Sequence, residues 1–346
     1  MLSYRHAFHA GNHADVFKHT FLIMLLERFN AKEAPYTVID THAGSARYDL
    51  NDERAQKTLD AQSGILKLLE AARYVEAQSP DREQPAPELS LISRDDLQSA
   101  RKSSESVLRE LLLSECRSDF IDFQKYLLFA KVCLDAGFYP GSPEIERAFM
   151  RAKDCLILSE LHPDEIGALQ RNMRLNAANA ENAPAVHIHH RDGFEALRAL
   201  TPPKTKRGIV FCDPSYEDAS DWERAANALI ETHKHWASAT LALWYPLVAV
   251  KKIERDAMKQ KIIAGIKGWK TERGILDALL CVNTENSHRE SALKDVKRSE
   301  PPRLYGSGML VVNPPWKIDD ELAAVLPYLA ETLGTKGAGS YKINNY

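Results

Sequence analysis

The chain has 346 residues, 27% of them charged and 44% hydrophobic, with a formal net charge of -3. Such a chain has room for a sizeable core, and its charge excludes histone-like or tail-driven nucleic-acid binding while allowing a local basic face. Its five cysteines show no CxxC spacing, so no disulfide framework and no zinc ribbon is expected; a cytoplasmic setting is, with an organellar address as the alternative.

Residues 1–19 are polar and contain His6, His9, His13 and His19. From about Ala14 to Phe29 apolar residues recur at helical spacing, which puts Lys18 and His19 on a helix. Within it, the apolar run Phe21–Leu26 is closed by Glu27 and Arg28, too short for a signal core or a membrane span. Tyr36–Asp40 reads as a first strand, followed by the turn Thr41-His42-Ala43-Gly44, where glycine lets backbone approach a ligand. The turn is neither a complete G-x-G-x-x-G fingerprint nor a P-loop, which weighs against dinucleotide and nucleoside triphosphate chemistry.

A helical segment is predicted over Glu53–Glu76, and helix resumes at Leu108–Leu113 and Phe120–Leu134. Between them, 77–106 carries Pro80, Pro85, Pro87, serines and many charges, and reads as a mobile excursion. Residues 48–136 are therefore expected to be a helical insertion into an α/β core made by 1–47 and 137–346. After Tyr139, strands are predicted at Cys155–Glu160, Val186–His189, Gly208–Cys212, Ala239–Trp244 and Met309–Asn313, with helices at Pro163–Asn172 and in 221–236 and 247–268. Trp244-Tyr245-Pro246 reads as the turn ending its strand, and Gly334–Ser340 as a flexible end or a loop leading into a strand. This alternation predicts a mostly parallel sheet covered by helices.

Asp40, Glu160 and Asp192 follow or end successive strands, where such sheets bind ligands. Glu160 suits two ribose hydroxyls, and Asp192-Gly193 suits an adenine amino group, so a nucleoside-bearing cofactor is expected. S-adenosylmethionine fits better than NAD because no pyrophosphate fingerprint is present. Asp213-Pro214-Ser215-Tyr216 then places a carboxylate, a rigid backbone and an aromatic ring after a strand. That set suits an adenine N6: Asp213 and a backbone carbonyl accept its N–H groups, Pro214 stiffens the loop, and Tyr216 stacks on the base. Methyl transfer to an adenine nitrogen is the expected chemistry, with Asp213 receiving the departing proton.

Tyr4, Arg5, His6, His9, His13, Lys18 and His19 are candidate RNA contacts, with Lys18 also suited to a cofactor carboxylate. His9, His13 and Asp15 do not form a recognised ligand signature, so no metal is expected. Lys204, Lys206 and Arg207 suit phosphate contacts or a solvated basic loop. Trp244-Tyr245-Pro246 suits a base pocket, and Asn313-Pro314-Pro315-Trp316 a structural turn.

The N-terminal run from Met1 through Tyr4-Arg5-His6 and Asp15-Val16-Phe17-Lys18-His19 closely resembles the RlmJ family of 23S rRNA adenine-N6 methyltransferases. The resemblance continues at Asp40–Gly44, Tyr139-Pro140-Gly141-Ser142-Pro143, Glu160-Leu161-His162-Pro163, Arg191-Asp192-Gly193-Phe194, Leu243–Pro246, Gly306–Met309 and Asn313–Lys317. It implies a Rossmann-like S-adenosylmethionine-dependent core with a small helical insertion. By matching positions it implies cofactor-site roles for Lys18, His19, His42, Ser142, Glu160, Asp192, Gly193 and Asp213. It further implies Asp213 as the catalytic acid position, Lys18 beside donor and substrate, and Tyr4 as a substrate contact. Known members act on large-subunit (23S) ribosomal RNA before the subunit is fully assembled, and a monomer with no obligate protein partner or membrane is expected. Two departures stand out: Ser215 replaces the second proline of Asp-Pro-Pro-Tyr, and 77–106 is expanded. A DNA adenine-N6 methyltransferase and a noncatalytic RNA-binding assembly factor are the alternative readings.

Overall fold

The computed structural model describes residues 5–77, 120–177, 183–267, 273–288 and 304–346. Tyr4, residues 78–106 and the helix expected at Leu108–Leu113 lie outside the described residues. The strands are β1 (Thr37–Asp40), β2 (Arg47–Tyr48), β3 (Tyr139–Pro140), β4 (Cys155–Glu160), β5 (Ala185–His190), β6 (Gly208–Cys212), β7 (Thr240–Leu247), β8 (Ile275–Cys281), β9 (Gly306–Val312) and β10 (Ser340–Asn345). The helices are α1 (His13–Asn30), α2 (Glu53–Thr58), α3 (Asp60–Ser63), α4 (Ile65–Ala77), α5 (Ile121–Asp135), α6 (Ser142–Phe149), α7 (Pro163–Ala177), α8 (Gly193–Leu200), α9 (Asp221–His235), α10 (Lys252–Lys267) and α11 (Ile318–Leu333).

Short apolar runs rich in Val, Ile and Leu form the central strands because they are buried on both faces. Eight strands make one sheet in the order β10-β8-β9-β7-β6-β1-β4-β5. β5, β4, β1, β6 and β7 run parallel, whereas β9 is antiparallel to both β7 and β8, and β10 is antiparallel to β8. The chain steps outward from β1 through β4 to β5, then returns to β6 on the other side of β1. Between β1 and β6 lies the switch point, and the carboxyl ends there form the natural ligand crevice. The fold is thus mixed α/β with a Rossmann-like core and inserted helices.

α1 is nearly enclosed: Phe17, Phe21 and Leu22–Leu26 are buried. On one face of the sheet these residues share a hydrophobic cluster with Ile65 and Leu68 of α4, Phe123, Tyr126 and Phe129 of α5, and Leu322 and Leu326 of α11. On the other face a second cluster joins Trp222, Leu229, Ile262 and Ile266. Asn12 caps α1 by accepting the Asp15 N–H at 2.9 Å, which fixes where the helix starts and hence where Lys18 points.

Two expectations need correction, and one open alternative is decided. β7 continues through Trp244-Tyr245-Pro246 to Leu247, because Pro246 lies opposite Ser307 of β9 while β6 pairs only as far as Leu243. With no β6 neighbour beyond that point, the missing N–H of Pro246 costs no ladder bond. Of the two readings of Gly334–Ser340, the loop leading into a strand is the one found: it enters the edge strand β10. Arg207 precedes β6 at the amino rim, away from the crevice, and donates to the carbonyls of Phe29 at 2.6 Å and Ala34 at 2.8 Å. It closes the end of α1, so it does not reach a ligand at the carboxyl rim.

Asn313-Pro314-Pro315-Trp316 also sits at that amino rim, because β9 runs backwards. Asn313, at φ 53°, donates to the carbonyls of Ala237 at 2.7 Å and Ala239 at 3.0 Å. The turn is structural, as its sequence position suggested. Among the described residues no helix is long and apolar enough to cross a membrane, and no cluster of His, Cys, Asp and Glu could hold a metal ion.

Candidate active site

At the switch point, the first turns of α1 meet the loop after β6. Lys18 Nζ donates to Asp213 Oδ2 at 2.5 Å and also contacts Asp15 Oδ1 at 2.9 Å. Asp15 Oδ2 in turn accepts from the Gly11 N–H and pairs with His6 Nε2, both at 2.9 Å. Burial works against these charges, but it is outweighed: the carboxylates of Asp15 and Asp213 hold Lys18 above the ordinary lysine value. His6 and Lys18 hold Asp15 well below the usual carboxylate range. Lys18 is therefore a permanent cation between two carboxylates, with its Nζ 5.8 Å from the centre of the Trp244 ring.

The backbone beyond Asp213 turns sharply. Tyr216 is left-handed at φ 56°, a strained geometry for a non-glycine residue. Its ring is buried against Trp222, centroids 4.2 Å apart, and its hydroxyl donates to the Trp244 carbonyl at 2.8 Å. Tyr216 thus anchors the loop to β7, and the half-buried Trp244 ring stands beside it, centroids 6.2 Å apart. Burial pushes the neighbouring Cys212 thiol up to about 12, so it stays protonated.

The loop after β1 is built around Asp40. Its carboxylate accepts from the His42 N–H at 3.0 Å and from Ser142 Oγ, at the start of α6, at 2.7 Å. Burial raises Asp40 to about 7, with Ser142 and His42 only partly offsetting it. Gly44, at φ +61°, donates to Glu160 Oε2 at 2.8 Å, and the His162 N–H donates to Glu160 Oε1 at 2.6 Å. These bonds aim the Glu160 carboxylate, and each oxygen keeps lone-pair capacity for a hydroxyl donor. His42 is half-buried, and desolvation holds it down to about 4, with Nδ1 2.7 Å from Thr41 Oγ1, so its ring is neutral.

The glycines serve packing first. A Cβ on Gly44 would lie 2.2 Å from Tyr48 Oη, and one on Gly193 would lie 2.0 Å from the Thr41 carbonyl oxygen. Asp192 likewise has internal tasks: Oδ1 caps α8 by accepting from Phe194 N at 3.0 Å, and Oδ2 pairs with Arg224 at 2.6 Å. The structure brings Lys18, Asp213, Pro214 and Tyr216 together, and gathers Asp40, His42, Ser142, Glu160, Asp192 and Gly193 along the same rim. His19 is buried beside them on α1.

Sequence reasoning missed the clamp role of Asp15, the Arg224 partner of Asp192, and Tyr139, whose hydroxyl lies 2.9 Å from His19 Nδ1. The signal for Asp15 was its i,i+3 spacing to Lys18; the other two are long-range and leave no local pattern.

The donor set fits S-adenosylmethionine. An oriented carboxylate on Glu160 can receive a ribose diol, the neutral His42 ring lines the loop, and nothing in the turn cradles a pyrophosphate.

Known proteins show the family to which the chain belongs. The profile of the family described as Ribosomal RNA large subunit methyltransferase D, RlmJ, matches residues 33–79 and 121–345. The chain is 32% identical over 340 residues to Ribosomal RNA large subunit methyltransferase J of Escherichia coli (strain K12), covering 98% of this chain and 96% of that one. It is 30% identical to the protein of the same description from Haemophilus influenzae (strain ATCC 51907 / DSM 11121 / KW20 / Rd), covering 99% and 98%. A crystal structure of a Legionella pneumophila str. Philadelphia 1 protein superposes with a TM-score of 0.66 at 26% identity, covering 97% of this chain and 98% of that one. With a profile match over residues 33–79 and 121–345 and relatives 30–32% identical over nearly its whole length, the chain belongs to the RlmJ family of ribosomal RNA large subunit methyltransferases.

Proposed function

We propose that this protein methylates N6 of one adenine in 23S ribosomal RNA, using S-adenosylmethionine, on naked or partly assembled RNA. The observation that carries the reading is the Lys18–Asp213 contact at the switch point, held at 2.5 Å in the loop after β6. When bound, S-adenosylmethionine supplies an electrophilic methyl group on a sulfonium. The chain's own residues prepare the nucleophile, because a neutral adenine N6 lends its lone pair to the ring and attacks poorly.

Lys18 occupies Oδ2 of Asp213, which turns the other oxygen toward an incoming amino group. Asp213 Oδ1 and a backbone carbonyl of Asp213-Pro214-Ser215 accept the two N6–H bonds and direct the nitrogen lone pair outward. As the N–C bond forms, N6 becomes cationic, and Asp213 takes its proton. The anchored Tyr216 and the Trp244 ring wall the base, which leaves its stack to enter the crevice. Glu160 holds the donor's ribose, His42, Ser142, Asp192 and Gly193 its nucleoside end, and Lys18 and His19 lie between donor and base. Tyr4 is assigned to substrate contact from the family resemblance.

The test incubates purified protein and labelled S-adenosylmethionine with unmodified 23S RNA, then with matched DNA and RNA oligonucleotides. Mapping by mass spectrometry is expected to find N6-methyladenosine at one RNA position. Equal or greater DNA methylation overturns the RNA preference. Unmodified RNA from folded, donor-binding protein overturns the activity.

A further inference from the structure

The hydrogen-bond chain behind His19 belongs to no step above. His19 Nδ1 lies 2.9 Å from Tyr139 Oη, and Tyr139 Oη lies 3.0 Å from Tyr126 Oη. All three side chains are buried; Tyr139 comes from β3 and Tyr126 from α5. Burial lowers the imidazole to about 3, so at neutral pH it carries a single ring proton. Burial also raises both phenols, which keep theirs.

The protons can then be placed by elimination. If Nδ1 holds the ring proton, it donates to Tyr139, and of the two phenol protons only one finds an acceptor within the chain. Either Tyr139 donates to Tyr126 and strands the Tyr126 O–H, or Tyr126 donates to Tyr139 and strands the Tyr139 O–H. If Nδ1 is bare, Tyr126 donates to Tyr139 and Tyr139 donates to His19, so both buried phenol protons are used; the one donor left over is Nε2–H, and Nε2 is not among the enclosed polar atoms that lack a partner. A buried hydroxyl proton with no acceptor is the costlier state, so the second arrangement holds. The ring proton then sits on Nε2.

We propose that Tyr126 and Tyr139 are positioning residues that fix His19 as the Nε2–H tautomer, so that it donates to the carboxylate of S-adenosylmethionine. This rests on the reading of His19 as a donor-site residue. A neutral Nε2–H only donates, and the carboxylate is the anionic, acceptor-only group of the methyl donor. Because Tyr126 lies in the insertion, that subdomain helps set the affinity of the core for its cofactor.

The test uses the full chain labelled with nitrogen-15 histidine, with the His19 signals identified by their loss in His19→Gln. In ligand-free protein the nitrogen shifts are expected to report Nε2–H, and in Tyr139→Phe a mixture of tautomers. Calorimetry with S-adenosylhomocysteine is expected to show about a 3- to 10-fold affinity loss in Tyr139→Phe, the size of one net hydrogen bond, and a smaller loss in Tyr126→Phe. Binding of 5′-methylthioadenosine, which lacks the carboxylate, should stay within about 2-fold, since it makes no such bond.

Nδ1–H in the ligand-free protein overturns the proposal. So does an equal loss for both ligands, which marks general loosening, or no loss for either. Failure of wild-type protein to bind S-adenosylhomocysteine at all overturns the donor-site reading itself. Normal binding that ignores Tyr139→Phe overturns only the tautomer's role.

Discussion

Lys18 Nζ and Asp213 Oδ2, separated by 195 residues in sequence, meet at 2.5 Å where the first helix faces the loop after β6. One oxygen of the carboxylate is thereby fixed, and the remaining oxygen acquires a defined direction. Asp213→Asn keeps the shape of the side chain but removes the proton acceptor. Single-turnover methylation of 23S RNA is expected to fall by about 100- to 10,000-fold, with S-adenosylhomocysteine affinity changed far less. Retention of a tenth or more of the wild-type rate contradicts the assignment.

Removing the cation has a different signature. Lys18→Met leaves Asp15 and Asp213 facing each other without the cation they share, in a site where their side chains are 1% and 14% exposed. Breaking such a buried arrangement is expected to cost about 3–5 kcal/mol in urea denaturation. The loss should shrink as pH falls, because protonation relieves the repulsion, and Asp15→Asn added to Lys18→Met should recover part of it. An unchanged midpoint would show that the clamp contributes nothing to stability.

Asp40 gives the fold a pH dependence of defined sign. Its carboxyl is raised from an ordinary 3.8 to about 7 by burial, ahead of the hydrogen bonds from Ser142 and His42 that oppose the rise. Across that window the folded chain holds a proton that the unfolded chain has released. Stability therefore falls as pH rises from about 4 to about 7, by at most about 4 kcal/mol from this group. Asp40→Asn is expected to flatten that part of the profile in urea titrations between pH 5 and 8. A profile of unchanged slope would refute the burial argument.

Gly44 and Tyr48 offer a paired test of the loop. A Cβ at position 44 meets Tyr48 Oη at 2.2 Å, whereas the ring carbon behind that hydroxyl is 3.5 Å away. Gly44→Ala alone should be strongly destabilising. Combined with Tyr48→Phe, which deletes the hydroxyl, it should retain chiefly the left-handed backbone cost of about 1–2 kcal/mol. The double-mutant cycle is expected to show favourable coupling of about 0.5–3 kcal/mol; strict additivity would place the clash elsewhere.

Strand ends were legible because the core strands are short apolar runs that stop at a charged or polar residue. Asp40, Glu160 and the Asp213 loop are thus placed on one rim by the sequence pattern alone. Helix α1 was legible from its spacing, and Asn313 was recognisable as structural from its late position. Pairing was not legible. β2 and β3 are two residues each and exist because Arg47 and Tyr48 find Pro140 and Tyr139 across the insertion. Pro246 looked like a strand end because its tolerance depends on where β6 stops, which is a property of a neighbour. Asp15 stands at i,i+3 spacing to Lys18, but its role in the clamp was not legible because the other carboxylate, Asp213, lies 195 residues from Lys18.

The hydrophobic cluster shared by α1, α4 and α5 decides what a minimal enzyme would contain. Excising residues 48–136 would strip Ile65, Leu68, Phe123 and Phe129 from their places and wet the flank of the helix that carries Lys18. The Lys18–Asp213 clamp would then be mounted on an unbraced rod. The inserted helices are a buttress of the candidate site, and attempts to trim this protein should begin elsewhere.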